Sequence, residues 1–548
     1  MLWQQDLQSL LESSPTVADL RGDGRDEIII AGREEIFALD AHGKALWHWR
    51  TKARFMTYPA VLTRPGRPAL IYAADNGGLL TCLDGTGKEV WHAQLNGPSS
   101  WSASVLCDLD GNGQTAVIQT DEPGTVWAFA ALTGEVLWQS RVKGRPVSPA
   151  VGDLDGDGKP EIVVATGEGV VTAFKGDGQV LWQRDIGGSS PTWATSAPIL
   201  FAGSDGRARV AAASSAGELF CLDSEGAILW RRPTRGAAAS SLSVGDLDLA
   251  GRADICLVTQ IGVIYRFDED GRVIWEIDMQ GRSLAPGAMV DLDGDGKLEY
   301  VLCTQNGLLL VVNSQGEILY RHQFDHRTIN MTPAFGGISA ESPGLEMALT
   351  GGESSLVYCF GTSAATNAIA HWRAYRGDAR NSGSWFGLRH TGTVSMTPEN
   401  LSGDEVFTGE AIRFAVHNPK PQESPLTATA VCLRADGARQ VATTCVLGAH
   451  GELRMPVGVV VPGTYRFRWT LEDAHAHVLA SGERSIFLEP FANDRALAAR
   501  ALAALRGTAD AAEPKLPLSA AALRREAQSL EDSAKDLEIR QHAVPGSI

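Results

Sequence analysis

A pair of residues, one aliphatic and one tryptophan, recurs along this chain and constrains its fold more than any other feature. Successive pairs stand 44 to 48 residues apart. The pairs are Leu46-Trp47, Val90-Trp91, Leu137-Trp138, Leu181-Trp182, Leu229-Trp230 and Ile274-Trp275, and Leu319-Tyr320 takes the next place. A period of this length accommodates four short strands, which is the unit of a β-propeller blade.

One copy of the repeat, residues 146–186, shows how the four strands are arranged. Its segments SPAVGD, EIVVAT, GVVTAFK and QVLWQRDI are rich in β-branched residues and are separated by glycine-containing turns. Inner strands are predicted to begin near Val17, Thr57, Ser100, Pro146, Thr192, Ala239, Ser283 and Asn330. The sequence therefore predicts a mainly β chain with an eight-bladed propeller over residues 1–388.

The last blade needs an outer strand, and two segments are candidates. LWQQDL at Leu2 to Leu7 matches LWQRDI at Leu181 to Ile186 almost letter for letter. The alternative is AHWRAYRGD, residues 370–378. The match favours closure of the ring by the N-terminal strand, which would leave no long sheet edge exposed.

An acidic nonapeptide occurs twice, as DLDGDGKPE at residues 153–161 and as DLDGDGKLE at residues 291–299. Carboxylates at positions 1, 3 and 5, a glycine at 6 and a glutamate at 9 suit Ca²⁺, which takes about six to eight oxygen ligands. The predicted ligands are Asp153, Asp155, Asp157 and Glu161 in the first copy and Asp291, Asp293, Asp295 and Glu299 in the second. We expect the ion to stabilise the loops rather than to take part in catalysis.

Other copies of this loop have lost ligands, and we predict weak or empty Ca²⁺ sites there. Asp108, Asp110 and Asn112 form one set, with Ala116 in place of the glutamate. Asp246, Asp248 and Asp254 form a second, with Ala250 in the middle. Asp19, Asp23 and Glu27 form a third, with Arg21 as the second residue of the pattern.

The composition and charge of the chain limit the classes of partner and the cellular compartment that we expect for it. A formal net charge of −17 and a pI near 5.2 disfavour nucleic-acid binding. The sequence has no apolar run of about 18 residues, so no membrane span is predicted. The opening MLWQQDLQSLL shows no signal peptide. Because loose acidic loops bind Ca²⁺ best at millimolar concentrations, we expect a secreted, periplasmic or cell-surface protein.

These motifs resemble two known repeat families over roughly residues 1–388. The D-x-D-x-D-G-x-x-E loop resembles the FG-GAP/VCBS repeat of integrin α-subunit heads, and LDGTGKEVW (Leu83 to Trp91) resembles the tryptophan-docking repeat of pyrroloquinoline-quinone propellers. HWRAYRGDARNSG, from His371, is similar to closing segments of bacterial proteins with such mixed propellers. The resemblance implies fold more than function.

A quinone dehydrogenase of this kind would hold the quinone and Ca²⁺ in the central channel, often against a disulfide of adjacent cysteines. The eight cysteines here stand singly and are interpreted as small core residues. Non-enzymatic relatives with the same tryptophan repeat, such as the outer-membrane assembly lipoprotein, therefore provide the closer analogy.

The loops that lead from an outer strand to the next inner strand should emerge opposite the Ca²⁺ loops. They offer a ring of arginine and aromatic residues: Arg54, Tyr58, Trp101, Arg145, Trp193, Arg235, Arg282 and Arg327. Such a ring could bind an acidic glycan or another extracellular protein, since guanidinium groups recognise carboxylates. The same residues could instead only pack between blades. A third interpretation is a polysaccharide lyase or glycosidase that uses His326, Arg327 and Tyr58.

From about Gly392 the repeat ends and alternating strands follow. They predict an Ig-like or fibronectin-like β-sandwich over residues 389–490 and a helical tail over residues 491–548. Cys432 and Cys445 are offset in register, with position 441 opposite Cys432, so no disulfide is predicted. The whole sequence is interpreted as a non-catalytic, Ca²⁺-binding scaffold or adhesion module, with the polysaccharide enzyme as the alternative.

Overall fold

The computed structural model describes residues 1–386, with gaps at 24, 65–66, 100–101, 113, 188–195, 239–240, 280, 284, 294–296, 325–330, 339–343, 352–353 and 366–369. Between 395 and 489 it describes the backbone of eight further strands. All of the regular elements within these residues are β-strands. The described residues contain no helix long and apolar enough to cross a membrane.

Seven antiparallel sheets each use four consecutive strands, and we number them blades 1 to 7 along the chain. From the inner to the outer strand, they are Thr16–Ala18, Glu27–Ala31, Glu35–Leu39 and Ala45–Arg50 in blade 1; Ala60–Arg64, Arg67–Ala74, Leu79–Asp84 and Glu89–Gln94 in blade 2; Val105–Asp108, Thr115–Thr120, Thr125–Ala130 and Val136–Arg141 in blade 3; Ala150–Gly152, Glu161–Ala165, Val170–Phe174 and Val180–Asp185 in blade 4; Ile199–Ala202, Ala208–Ser214, Glu218–Asp223 and Ile228–Pro233 in blade 5; Ser243–Gly245, Asp254–Val258, Val263–Asp268 and Val273–Asp278 in blade 6; and Ala288–Val290, Glu299–Cys303, Leu308–Val312 and Ile318–Gln323 in blade 7. The predicted propeller is therefore confirmed.

Blade 8 is built from both ends of the propeller sequence. Its first three strands are Ala334–Gly336, Gly344–Thr350 and Leu356–Ala365. The outer strand is Trp3–Asp6, which pairs antiparallel with the third strand from Trp3 opposite Cys359 to Asp6 opposite Leu356. The prediction that the N-terminal strand closes the ring is confirmed.

The burial of each strand follows its place in the blade. In blade 4 every residue of Glu161–Ala165 and Val170–Phe174 is buried, because both faces of these middle strands pack against neighbouring blades. The outer strands alternate between partly buried and exposed residues, as Val136–Arg141 does, since one face points to solvent. The six cysteines in the described part of the chain are buried and free, which suits their interpretation as core residues.

Tryptophans of the outer strands fasten each blade to the next. Trp47 Nε1 donates a hydrogen bond to the Gly85 carbonyl at 2.9 Å in blade 2. The ring lies so close to Gly87, which has φ +82°, that a Cβ there would stand 2.6 Å from the indole. Equivalent bonds are made by Trp3, Trp91, Trp138, Trp182, Trp230 and Trp275. In the outer strand of blade 7, Tyr320 takes the place of the tryptophan and is 51% exposed.

Residues 370–386, which we call the channel segment, run along the inner strands of the propeller. Ala370–Trp372 pairs with the inner strand of blade 7, and Ser384–Trp385 pairs with that of blade 5. Inner-strand amides of blades 2, 3, 4, 5 and 8 donate to carbonyls of this segment: Val61 to Ala379, Leu106 to Arg380, Val151 to Ser382, Leu200 to Gly383 and Phe335 to Arg373. The alternative of 370–378 as an outer strand is wrong, because these residues pair with the inner edges instead.

The C-terminal strands form two sheets. One holds Ser395–Pro398, Ala411–His417 and His450–Pro456; the other, in spatial order, holds Glu405–Phe407, Val478–Glu489, Gly463–Glu472, Leu426–Arg434 and Arg439–Leu447. Cys432 stands opposite Val441, in the register predicted from the sequence. The Ig-like sandwich over 389–490 stays a prediction, and the helical tail predicted for 491–548 lies outside the described residues.

Candidate functional site

The loop between the first two strands of blade 4 brings three carboxylates together. One ligand oxygen from each of Asp153, Asp155 and Glu161 lies within 4.8 Å of the others. Glu161 begins the second strand, is 3% exposed and accepts a hydrogen bond from the Leu154 amide at 2.8 Å. Asp157 remains exposed at the tip of the loop and accepts a bond from the Lys159 amide. The donor set is entirely oxygen, which is the chemistry that Ca²⁺ prefers.

The electrostatics of this loop also favour a cation. Burial, together with the neighbouring Asp155, Asp153 and Asp157, raises the pKa of Glu161 to about 7 against the opposing effect of the Leu154 hydrogen bond. Like charges that share one site disfavour ionisation of all of them. A divalent cation at this position would remove that repulsion and hold the glutamate ionised at neutral pH.

Blade 7 repeats the arrangement. One oxygen from each of Asp291, Asp293 and Glu299 lies within 4.8 Å of the others, and the Leu292 amide donates to Glu299 at 2.8 Å. This bond matches the one between Leu154 and Glu161. The fourth predicted ligand, Asp295, lies outside the described residues.

Blade 6 holds a third carboxylate group, of Asp246, Asp248 and Asp254, but the chain supplies its own cation there. Arg266, on the third strand, donates to both oxygens of Asp254 at 2.8 and 2.9 Å and to Asp248 at 2.7 Å. This arginine is buried. Its guanidinium group pairs with two of the three carboxylates, an internal partner that the loop sequence alone did not show. The weak or empty metal site in this loop stays a prediction.

The two remaining loops are organised by hydrogen bonds from within the chain. In blade 1, Arg21 contacts Glu27 at 2.6 Å and Asp23 at 3.4 Å, so an arginine again supplies positive charge. In blade 3, Asp108 accepts a bond from the Gly111 amide at 3.0 Å, Asp110 accepts from the Asn112 side chain at 2.7 Å, and Asn112 accepts from the Gln114 amide at 2.7 Å. The second strand there carries Ala116 in place of the glutamate.

The arginines of the opposite loops are mostly paired with acids of neighbouring loops and blades. Arg54 contacts Glu12, Arg145 contacts Glu122 at 2.6 Å, and Arg235 contacts Asp278 at 3.4 Å and Glu276 at 3.7 Å. Arg282 is exposed and forms no ion pair with any described residue. Trp101, Trp193, Arg327 and His326 lie outside the described residues. Ion pairing reduces the positive field that these loops can offer to an anionic glycan.

Tyr58 belongs to the lining of the channel rather than to an open face. Its ring stacks on Tyr375 of the channel segment, with centroids 3.6 Å apart, and it is 6% exposed. Burial raises the pKa of the Tyr58 hydroxyl well above its ordinary value. Met331 and Ala103 complete the buried cluster at this level of the channel.

Side chains of the channel segment bridge several blades at once. The Asn381 amide donates to the carbonyls of Tyr58, Pro59 and Ser104 at 3.2 to 3.3 Å. Within the part of the chain that is described, this segment lies along the inner strands, at the axis where the resemblance to quinone propellers would place the cofactor.

A protein-family model described as "Outer membrane protein assembly factor BamB", of the PQQ repeat type, matches residues 1–99, 32–197 and 167–332. These stretches overlap and together run from residue 1 to residue 332, which is more than half of the chain. The FG-GAP/VCBS resemblance rests on the loop sequences alone.

A curated relative, the outer membrane protein assembly factor BamB of Yersinia pestis, is 29% identical over 145 residues. The match takes in 24% of this chain and 35% of the relative, so the chain spans about a third of that relative's length.

Solved propellers align with about two thirds of the chain. Sqt1 of Saccharomyces cerevisiae has a TM-score of 0.51 at 14% identity, covering 65% of this chain and 97% of its own, and it shows the fold alone. BamB from Moraxella catarrhalis has a TM-score of 0.46 at 15% identity, with coverage of 65% and 97%. With the family match across blades 1 to 7, the chain belongs to the PQQ-type repeat family described as outer membrane protein assembly factor BamB.

Proposed function

We propose that this protein is a non-catalytic scaffold of the bacterial envelope that binds other proteins through the loops of its propeller. The observation that carries the proposal is the occupied channel. Small-molecule sites of proteins are concave, and in a propeller the central channel is the largest concavity available. Here Tyr58, Tyr375 and the rest of the channel segment fill it, so the loops and the rim offer the remaining binding surface.

The family description supports this role and the compartment. The matching relative is named as an assembly factor for outer-membrane proteins, and we extend to this chain a role of the same kind, outside the cytoplasm. An adhesion partner or an acidic glycan is less well supported, because Arg54, Arg145 and Arg235 are already engaged by acids.

Photo-crosslinking from single positions would test the proposal. One crosslinking residue replaces Arg282, which is exposed among the loops between outer and inner strands, and a matched one replaces Lys175, in the exposed turn of the opposite face of blade 4. We expect adducts with one defined envelope protein from one of these positions and none from the other. If an adduct forms at the loops between outer and inner strands, the Arg282→Glu variant should lower its yield.

Enzymatic cleavage of a polysaccharide would contradict the proposal. If the protein forms no adduct from either face and cleaves an acidic polysaccharide in a panel of purified glycans, the scaffold is the wrong function. The alternative that involves His326 and Arg327 would then be correct.

We also infer that the loops of blades 4 and 7 bind Ca²⁺ as a structural ion. The clustered carboxylates, the raised pKa of Glu161 and the arginines that take the place of a cation in blades 1 and 6 support this inference. A ligand that binds only the folded state stabilises it by mass action. Bound Ca²⁺ would thereby fix each loop against the start of the second strand of its own blade.

A thermal melt in Ca²⁺ and in chelator tests the ion sites. Ca²⁺ should raise the melting temperature of the wild-type protein by about 2–5 °C. The double variant Asp155→Asn with Asp293→Asn should lose this response. Asp248→Asn in blade 6 should keep it, because Arg266 already neutralises that loop. Equal melting temperatures of the wild-type protein in Ca²⁺ and in chelator would contradict the inference.

A further inference from the structure

Arg376 is a cation enclosed at the centre of the propeller. Its side chain has no exposed surface, and its Nη2 donates to the carbonyls of Pro149 and Pro198 at 2.8 Å each. Nη1 donates to Ser241 Oγ at 2.6 Å. The acceptors belong to the starts of the inner strands of blades 4, 5 and 6. Three neighbouring blades are therefore joined through one guanidinium group.

The charge of this guanidinium is not balanced by a carboxylate in the described residues. Arg376 forms no ion pair, unlike the buried Arg266 in blade 6. The acid nearest in sequence, Asp378, uses Oδ1 to accept bonds from the amides of Arg380 and Ser382 and Oδ2 to accept one from Ser382 Oγ. Burial lowers the pKa of Arg376 to about 10, against the influence of Tyr375 and Asp378. A buried charge without a counter-charge lowers the stability of a folded protein.

Three polar atoms of the channel segment are also buried without a hydrogen-bond partner. They are Arg376 Nε, Trp372 Nε1 and Ser384 Oγ. Two of these groups can only donate a hydrogen bond, and a hydroxyl can donate as well. All three therefore call for an acceptor that the described side chains do not provide.

The side chains of Arg376 and Trp372 are each packed against a glycine of the same segment. The guanidinium lies against Gly383, where an added Cβ would stand 1.9 Å from Nη2, and Ser384 is the next residue in the chain. The indole of Trp372 lies against Gly377, which follows Arg376, with 3.1 Å between an added Cβ and the ring. The two glycines have φ of +65° and +91°, so the backbone itself is shaped around these side chains.

We propose that the channel segment encloses a small monovalent anion, of the size of chloride, beside Arg376. A water molecule would supply an acceptor but no charge, whereas an anion supplies both. The ion would accept the hydrogen bond of Arg376 Nε and balance the charge of the guanidinium group that joins blades 4 to 6.

An anion series on the full-length protein tests the site. The protein is unfolded and refolded in sodium chloride or in sodium gluconate at equal ionic strength and equal calcium, so that an enclosed ion can equilibrate. Chloride should raise the melting temperature by about 2–5 °C in a saturable manner, since it binds only the folded state. Arg376→Met should abolish the difference between the two salts. Arg380→Met, a half-buried arginine of the same segment, should retain it.

Diffraction from crystals grown in bromide gives a second readout that needs no variant. A bromide ion at the site should produce an anomalous peak within hydrogen-bonding reach of Arg376 Nε, which has no other acceptor. Equal melting temperatures in the two salts, with no anomalous peak, would overturn the proposal and leave water as the acceptor. If Arg376→Met does not fold, the wild-type salt series and the bromide map still decide the question.

Discussion

Single arginine residues pair with the carboxylates of the acidic loops of blades 1 and 6. Arg266 occupies a third-strand position that holds a small or aliphatic uncharged residue in blades 1 to 5 and 7: Ala38, Cys82, Ala128, Ala173, Cys221 and Val311. In blade 6 this one change places a guanidinium group beside the carboxylates of the loop, whereas the equivalent third-strand residues of blades 4 and 7 are Ala173 and Val311. One residue outside the loop therefore supplies an internal ion pair.

Loss of Arg266 should be severe. In Arg266→Met the carboxylates of Asp254 and Asp248 stay together without their cation, and the free energy of unfolding should fall by about 3 kcal/mol. The control Arg272→Met removes an exposed arginine that contacts Asp268, and it should cost less than about 1 kcal/mol. Urea unfolding measures both values. Similar small losses for the two variants would show that Arg266 is not the counter-charge of this loop.

At the scale of elements, the outer strand carries the junction between blades. Its pairing with the third strand shifts register by one residue just before the tryptophan, as at Ala128 and Phe129 opposite Trp138 and Val136. The bulge leaves the aliphatic partner, Leu137, half exposed and directs the tryptophan to the hairpin of the next blade. Blade 8 receives its outer strand from the N-terminus, so Tyr320 has no such hairpin to meet and is exposed.

This difference between junctions can be measured with two alanine variants. Trp138→Ala removes the bond to Gly176 and the contact with Gly178, and it should lower the free energy of unfolding by about 3 kcal/mol. Tyr320→Ala should cost less than about 1 kcal/mol, because that ring is half exposed. Chemical denaturation followed by far-UV circular dichroism gives both numbers. A cost for Tyr320→Ala as large as that for Trp138→Ala would contradict the account.

Periodic features were predictable from the sequence, and non-periodic ones were not. The aliphatic-tryptophan period and the likeness of LWQQDL to LWQRDI predicted the blades and the closing strand, because each repeats a local pattern. The path of residues 370–386 depends on bonds to inner strands far away in sequence, such as Asn381 to Tyr58. The burial of Arg376 likewise depends on acceptors far away in sequence, such as Pro149 and Pro198. Arg266 was detectable as a charge at a position that is uncharged in blades 1 to 5 and 7.

At the scale of the whole molecule, the ring is closed twice. Trp3–Asp6 completes blade 8 at the rim, and the channel segment joins inner strands at the axis. The residues that make these closures come from opposite ends of the propeller sequence. Neither closure is local, so the eight blades depend on one another for stability.

A substitution at Gly383 tests how much the channel segment contributes to stability, and Gly206 provides a matched control. Gly383→Ala places a Cβ 1.9 Å from Arg376 Nη2, whereas Gly206→Ala, at a similar φ of +75°, meets open space. Both variants bear the strain of a left-handed alanine, about 1–2 kcal/mol. Gly383→Ala should lose about 2 kcal/mol more, because the side chain it displaces is fully buried. The comparison uses thermal unfolding in the same buffer. Equal losses would mean that the channel segment is loosely held.

The double closure also dictates when the protein can fold during its synthesis. The Thr332 amide donates a hydrogen bond to Ser14 Oγ at 2.9 Å, across 318 residues of sequence. The rim strand leaves the ribosome first and waits for the third strand of blade 8, and the channel segment emerges later still. Until then the nascent chain presents open sheet edges and an unfilled axis, both prone to aggregation. Such long-range pairing is slow, and neither closure can be completed before the chain as far as residue 386 has been made.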